Sequence, residues 1–300
     1  SITIPANQTL AWDSAFSFGA SRGFDVISDM MSQNGFTYIS GIMSANTTIG
    51  PNCVMEALGF ESGHLNSAQG LPYVAKFNNN GTCLWLSGVD LVSHNQKIFT
   101  DHGTITGITL DSSNNIYTTL EINHGFTPGN EQIKFGNITE TTNQYENVFL
   151  VKLDSDGKWQ WVEHLPGEEC ECGVSTDAND NVWFTTKTQT SGVYTTHFRK
   201  FNPNGQILIS KSISDANLRV ESIFSDNQSN LFFGGWFENS FSTIVNGTSQ
   251  LITNDAGSDI ILGKMTPQGD LSWVVTPVQS SSNSQIKDIT IKSGNEIYIT

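Results

Sequence analysis

A chain of 300 residues with 37% hydrophobic content can bury a substantial core, and a formal net charge of -15 argues against binding a phosphate backbone by electrostatics. Charged residues make up only 14% of the chain, well under the roughly 25% of ordinary soluble domains, so Asn, Ser, Thr and Gly must supply solubility. That composition is expected of an extracellular, cell-surface or virion-surface β protein, and no stretch approaches the roughly 18 apolar residues of a membrane span.

In chain order, residues 1–12 read as a degraded strand–turn–strand unit, with Ile4 apolar, residues 5–8 in the turn and Trp12 at an aromatic position. Residues 25–41 form an expected hairpin around Asn34-Gly35, with Tyr38 as its aromatic anchor. The hairpin at 73–85 then introduces a pattern: Lys76, Gly81 five positions later and Trp85 nine positions later. The pattern recurs as Lys152, Gly157 and Trp161, as Lys200, Gly205 and Ile209, and as Lys264, Gly269 and Trp273. Further Asn-rich hairpins at 105–120, 175–186, 220–235 and 286–300 carry anchors at Tyr117, Trp183, Phe232 and Tyr298.

Two hairpins per unit make a four-stranded antiparallel sheet, and repeats of roughly 50–80 residues have the size of propeller blades. The expectation is one all-β domain over 1–300: a β-propeller of about five blades, or part of a larger one. Its blades would be approximately 24–88, 104–164, 172–212, 219–277, and a composite of 286–300 with 1–18, so that the terminal strands share the closing blade. Starting at Ser1 with no apolar leader is what a trimmed mature form would show.

The units resemble the β-propeller repeat family often called SBBP, common in secreted and surface proteins of bacteria. Val148 to Trp161 after Asp111 to Tyr117, and Asp259 to Trp273, carry the similarity. The resemblance implies the four-stranded blade, and it implies little about activity.

Cys53 and Cys83 are candidates for a disulfide in an oxidising compartment, while Cys170 and Cys172 alternate on one strand. No metal or other cofactor is expected. Asp111 and Asp177 sit in calcium-like runs that lack the loop's Gly and Glu, and Asx capping of turns explains them. The repeated Lys residues read as structural, offset by nearby carboxylates. Sequons begin at Asn7, Asn46, Asn80, Asn137, Asn227 and Asn246, no more than composition supplies.

In a propeller the links between hairpins share one face, here 42–70, 121–146, 188–195 and 238–258. That face offers His64, His124, Phe126, Tyr145, Tyr194, Trp236 and Phe241 as ligand-binding candidates. No nucleophile elbow, metalloprotease or phosphate-loop motif is present. Glu163, Glu168, Glu169 and Glu171 could host paired carboxylates. The expectation is a non-catalytic structural, adhesive or ligand-binding module, oligomeric or not, whose partners are surface proteins or glycans. The alternative is a carbohydrate-active enzyme, a glycosidase or lyase, with carboxylates at the central channel.

Overall fold

The computed structural model describes residues 26–44, 48–49, 53–54, 70–91, 105–123, 131–142, 144–254, 257–277, 286–292 and 296–299. Among them there is no helix, and the protein is all-β. The first sheet runs β1 (Val26–Gln33), β2 (Phe36–Ser44), β5 (Gly70–Asn78) and β6 (Cys83–Gly88), with a small pair β3 (Thr48–Ile49) and β4 (Cys53–Val54) between its second and third strands. The strand β7 (Asp90–Leu91) follows. The second sheet holds β8 (Ile105–Leu110), β9 (Ile116–Asn123), β12 (Glu146–Leu153) and β13 (Trp159–Pro166), with an inserted hairpin β10 (Glu131–Phe135) and β11 (Ile138–Thr142).

The third sheet is β14 (Glu169–Thr176), β15 (Val182–Thr190), β16 (Val193–Phe201) and β17 (Ile207–Ser214). The fourth is β18 (Arg219–Ser225), β19 (Leu231–Phe237), β22 (Asp259–Met265) and β23 (Leu271–Val275), extended by the hairpin β20 (Phe241–Val245) and β21 (Thr248–Ile252). A last hairpin joins β24 (Ile289–Lys292) to β25 (Glu296–Ile299). Pairing within every sheet is antiparallel, apart from one parallel bridge from β20 to β23. Residues 1–12, read above as half of a closing blade, lie outside the described residues.

Successive sheets pack face to face. Phe77, Phe135 and Phe149 belong to the core between the first and second, and Tyr117, Phe184 and Phe201 to that between the second and third. Phe198 and Phe233 are tilted on each other, 5.0 Å apart, between the third and fourth sheets. Phe232 meets Ile286 and Ile289 beyond. The first strand of each sheet lies beside its counterpart in the next: β1 by β8, β8 by β14, β14 by β18, and β18 by β24.

The repeated residues turn out to clamp one sheet to the next. Lys76, Lys152, Lys200 and Lys264 each sit directly across the ladder from an aromatic anchor: Tyr38, Tyr117, Trp183 and Phe232. The ammonium groups lie 5.2, 5.1, 5.3 and 4.9 Å from those ring centroids. Lys76 Nζ and Trp85 Nε1 both donate to Ser155 O in the turn of the second sheet, each at 3.2 Å. Lys152 Nζ and Trp161 Nε1 likewise donate to Pro203 O of the third, at 2.9 and 3.0 Å. Lys200 Nζ donates to Pro267 O of the fourth at 3.3 Å.

The turn glycine completes the clamp. Gly157 has φ +81°, and a Cβ there would fall 2.7 Å from the Trp85 ring, so the residue is required twice over. Burial pulls the pKa of Lys76 and Lys152 down, and Asp156 and Asp111 respectively pull it back. Lys200 pairs with the fully buried Asp177 at 2.5 Å. Asp177 also accepts from Asn179 N and Asn181 N, the Asx pattern of the turn.

The links between hairpins are not uniformly long. Residues 188–195, read above as a loop, are two strand ends closed by the tight turn Ser191-Gly192, with Thr190 paired to Val193. Its Thr and Gln residues look loop-like in sequence, yet they serve a ladder whose faces are largely wet. Cys53 and Cys83 are joined by a disulfide with Cα atoms 6.1 Å apart, tying β4 to β6.

Candidate functional site

Each of the four inner strands carries a register shift near its start: between Ile27 and Asp29, Ile105 and Gly107, Cys170 and Val174, and Val220 and Ser222. A bulge breaks the in–out alternation and redirects side chains, which is why bulges recur beside binding sites. Here they bring polar groups from different sheets together at the end of the inner strands opposite the Lys–Trp clamps.

Asp29 Oδ1 accepts from Met30 N at 2.7 Å, and its Oδ2 accepts from Ile108 N of the neighbouring inner strand at 2.9 Å. Burial pushes its pKa above the ordinary value; those two N–H groups pull it partly back, and the negative charge of Asp288 pushes it up further. Asp288, just before β24, accepts from Ser222 Oγ at 2.9 Å and from Ile289 N at 2.8 Å. Asp29, with raised proton affinity, therefore feels the charge of Asp288 while each carboxylate is held by its own neighbours.

Glu221, the residue skipped by the bulge in β18, precedes the Ser222 that bonds Asp288. It accepts from Trp236 Nε1 at 3.0 Å and pairs with Lys287 at 3.6 Å. Arg219 covers the Trp236 ring, 5.6 Å from its centroid. Asp288 is thus flanked in sequence by Lys287, which holds Glu221, and bonded to Ser222, the residue after Glu221.

A second polar group lies between the second and third sheets. Arg199 meets Glu168 bidentately, both contacts at 2.8 Å, with Thr186 bonded to each of them. Burial raises the pKa of Glu163 and lowers that of His197. Its strongest donors and acceptors satisfy one another, so it reads as a latch between sheets. Of the acidic run singled out in the sequence, Glu168 is therefore engaged in packing. Burial and then the charge of Glu169 raise the pKa of Glu146.

The seven candidates from the sequence do not come together. Trp236 donates to Glu221 and is covered by Arg219. Phe241 is buried, 5.6 Å from Phe237 in an edge contact, and belongs to the core. Tyr194 is covered by Lys187 Nζ at 4.3 Å, and Tyr145 is exposed. His64, His124 and Phe126 lie outside the described residues. Asp29, Glu221 and Asp288 were missed. A polar residue interrupting an inner strand is their only local signal, as in Val26-Ile27-Ser28-Asp29.

No protein-family model matches the chain, and no curated protein matches it in sequence. Among solved structures, a gluconolactonase of Xanthomonas campestris is similar, with 8% identity and a TM-score of 0.37. The match covers 77% of this chain and 64% of that one. That neighbour is described as an enzyme, against the expectation of a non-catalytic structural, adhesive or ligand-binding module. At that degree of similarity the match transfers neither residues nor substrate.

Proposed function

We propose that this chain is a carbohydrate-active hydrolase, with Asp29 and Asp288 as its acid–base pair at the mouth of a closed five-bladed propeller of SBBP type. The observation that carries the reading is that Asp29, its proton affinity raised by burial and anchored to Ile108 N, also feels the charge of Asp288, which Ser222 anchors. Paired carboxylates with separated proton affinities are what glycosidic hydrolysis requires.

In this reading Asp29 gives its proton to the glycosidic oxygen as the C–O bond breaks. Asp288 takes a proton from the water that adds to the anomeric carbon. Trp236 offers an apolar face to a sugar ring, and Lys287 holds Glu221 in place. Closure of the ring is supported by the proximity of Asp29 to Asp288. The degraded strand–turn–strand copy at 1–12, with Thr3 and Gln8 where the repeat has Lys and Gly, would share the closing blade. A disulfide between Cys53 and Cys83 suits an extracellular setting.

The test is a screen of aryl glycosides and neutral polysaccharides, followed by Asp29→Asn and Asp288→Asn on whichever is cleaved. The reading expects turnover that both variants lower by about 1,000-fold while circular dichroism stays unchanged. Absence of turnover across the screen, or variants as active as the parent, would overturn it.

A further inference from the structure

Between the outer strands of the first and second sheets lies a cavity of about 550 Å³. Its walls come from Ser87 and Asp90 at the end of the first sheet, from Asn137 at the tip of the β10–β11 hairpin, and from Lys158, Trp159 and Gln160 on β13 and its turn. The volume lies in the range of small-ligand sites.

Its origin is local. The strand β7 pairs with β10, so the inserted hairpin of the second sheet docks on the end of the first. The hairpin tip then hangs over Trp159: a Cβ on Gly136 would lie 3.0 Å from the indole Cδ1. The comparable hairpin of the fourth sheet bridges to its own β23 instead. Trp159 also departs from the repeat. Seven positions after the Lys the other copies carry Cys83, Ile207 and Leu271, and only this one is aromatic.

We propose that this cavity is a binding subsite for neutral oligosaccharide, independent of the acid–base pair. Trp159 is half-buried and set edge-on to Phe135, 5.3 Å between centroids, which fixes its ring. A fixed indole bordered by an amide, a hydroxyl, a carboxylate and an ammonium matches a ligand with apolar ring faces and hydroxyl edges. Gln160 is oriented in advance, its amide nitrogen donating to Asp154 at 2.8 Å and to Lys158 O at 3.2 Å, which leaves Oε1 to accept. An apolar ligand would strand these polar groups. A polyanion would meet Asp90 with Lys158 as the sole cation of the lining, on a chain of net charge -15.

The experiment titrates the whole chain with cellohexaose, xylohexaose, mannohexaose and chitohexaose, read by calorimetry and by tryptophan emission. At least one should bind. Its affinity should fall roughly tenfold or more in Trp159→Ala and in the double variant Asn137→Ala/Gln160→Ala, and hold in Asp29→Asn. The double variant alters only surface side chains, so it keeps the test alive if Trp159→Ala loosens the hairpin. Failure of all four sugars to bind overturns the proposal. So does unchanged affinity in the double variant, or a loss confined to Asp29→Asn, which would put the sugar at the carboxylates.

Discussion

The two ends of the inner hairpins obey different rules. At the turn end, four sheets repeat a Lys over an aromatic and a turn glycine, and the first three press Trp or Ile on the next sheet's turn. At the other end no two sheets agree: Asp29, Gly107 and Ser222 follow a bulge, while Asp288 stands just before β24. Repetition follows from packing, because each interface between sheets poses the same problem. Chemistry needs convergence of unlike groups, so it appears where the repeat lapses.

That contrast can be broken or sharpened. Asp29→Asn should lower turnover on a cleaved glycoside by about 1,000-fold, ~4 kcal/mol of barrier, while the melting temperature stays within a few degrees. Lys200→Ala should do the reverse. It strands the buried carboxylate of Asp177 and should cost about 3 kcal/mol in denaturant unfolding, and replacing both partners with apolar residues should cost less. Gly157→Val should cost about 2 kcal/mol, since the new side chain enters the Trp85 ring at a φ of +81°. Unchanged stability in either clamp variant would remove the structural half of the comparison.

Smaller effects separate the hydrogen bond from the packing. Trp161→Phe keeps an aromatic against Gly205 but loses the donor to Pro203 O, and about 1 kcal/mol should go with it. His164 is stacked on Phe149 at 4.5 Å and bonded to Asn147 at 3.0 Å; burial holds its pKa below the usual value. The unfolded chain therefore takes up this proton first as pH falls below about 6.5, and stability drains away until the folded form is protonated too. His164→Gln should flatten that loss by about 0.5 kcal/mol in melts compared across the acid limb.

Much of the architecture was legible because the clamps reuse one spacing. Lys76, Gly81 and Trp85 announce a hairpin, and three further copies announce a repeat. What the spacing hides is the partner. Trp85 reaches Ser155 and Trp161 reaches Pro203, separations of 70 and 42 residues that share no period. The length of the 188–195 link was misread because a wet, Thr-rich ladder has the composition of a loop. The carboxylate group was illegible for a related reason: a one-residue bulge shifts the side-chain alternation, and nothing local to Asp29 points to Asp288.

The most direct test of the catalytic claim is the pH dependence of turnover in the parent chain and in Asp29→Asn. Because burial raises the proton affinity of Asp29, the working acid should persist above the ordinary carboxylate range and its loss should shape the alkaline limb. The account predicts that Asp29→Asn leaves a small residual rate that no longer falls along that limb. An alkaline limb of the same position and depth in the variant would contradict it.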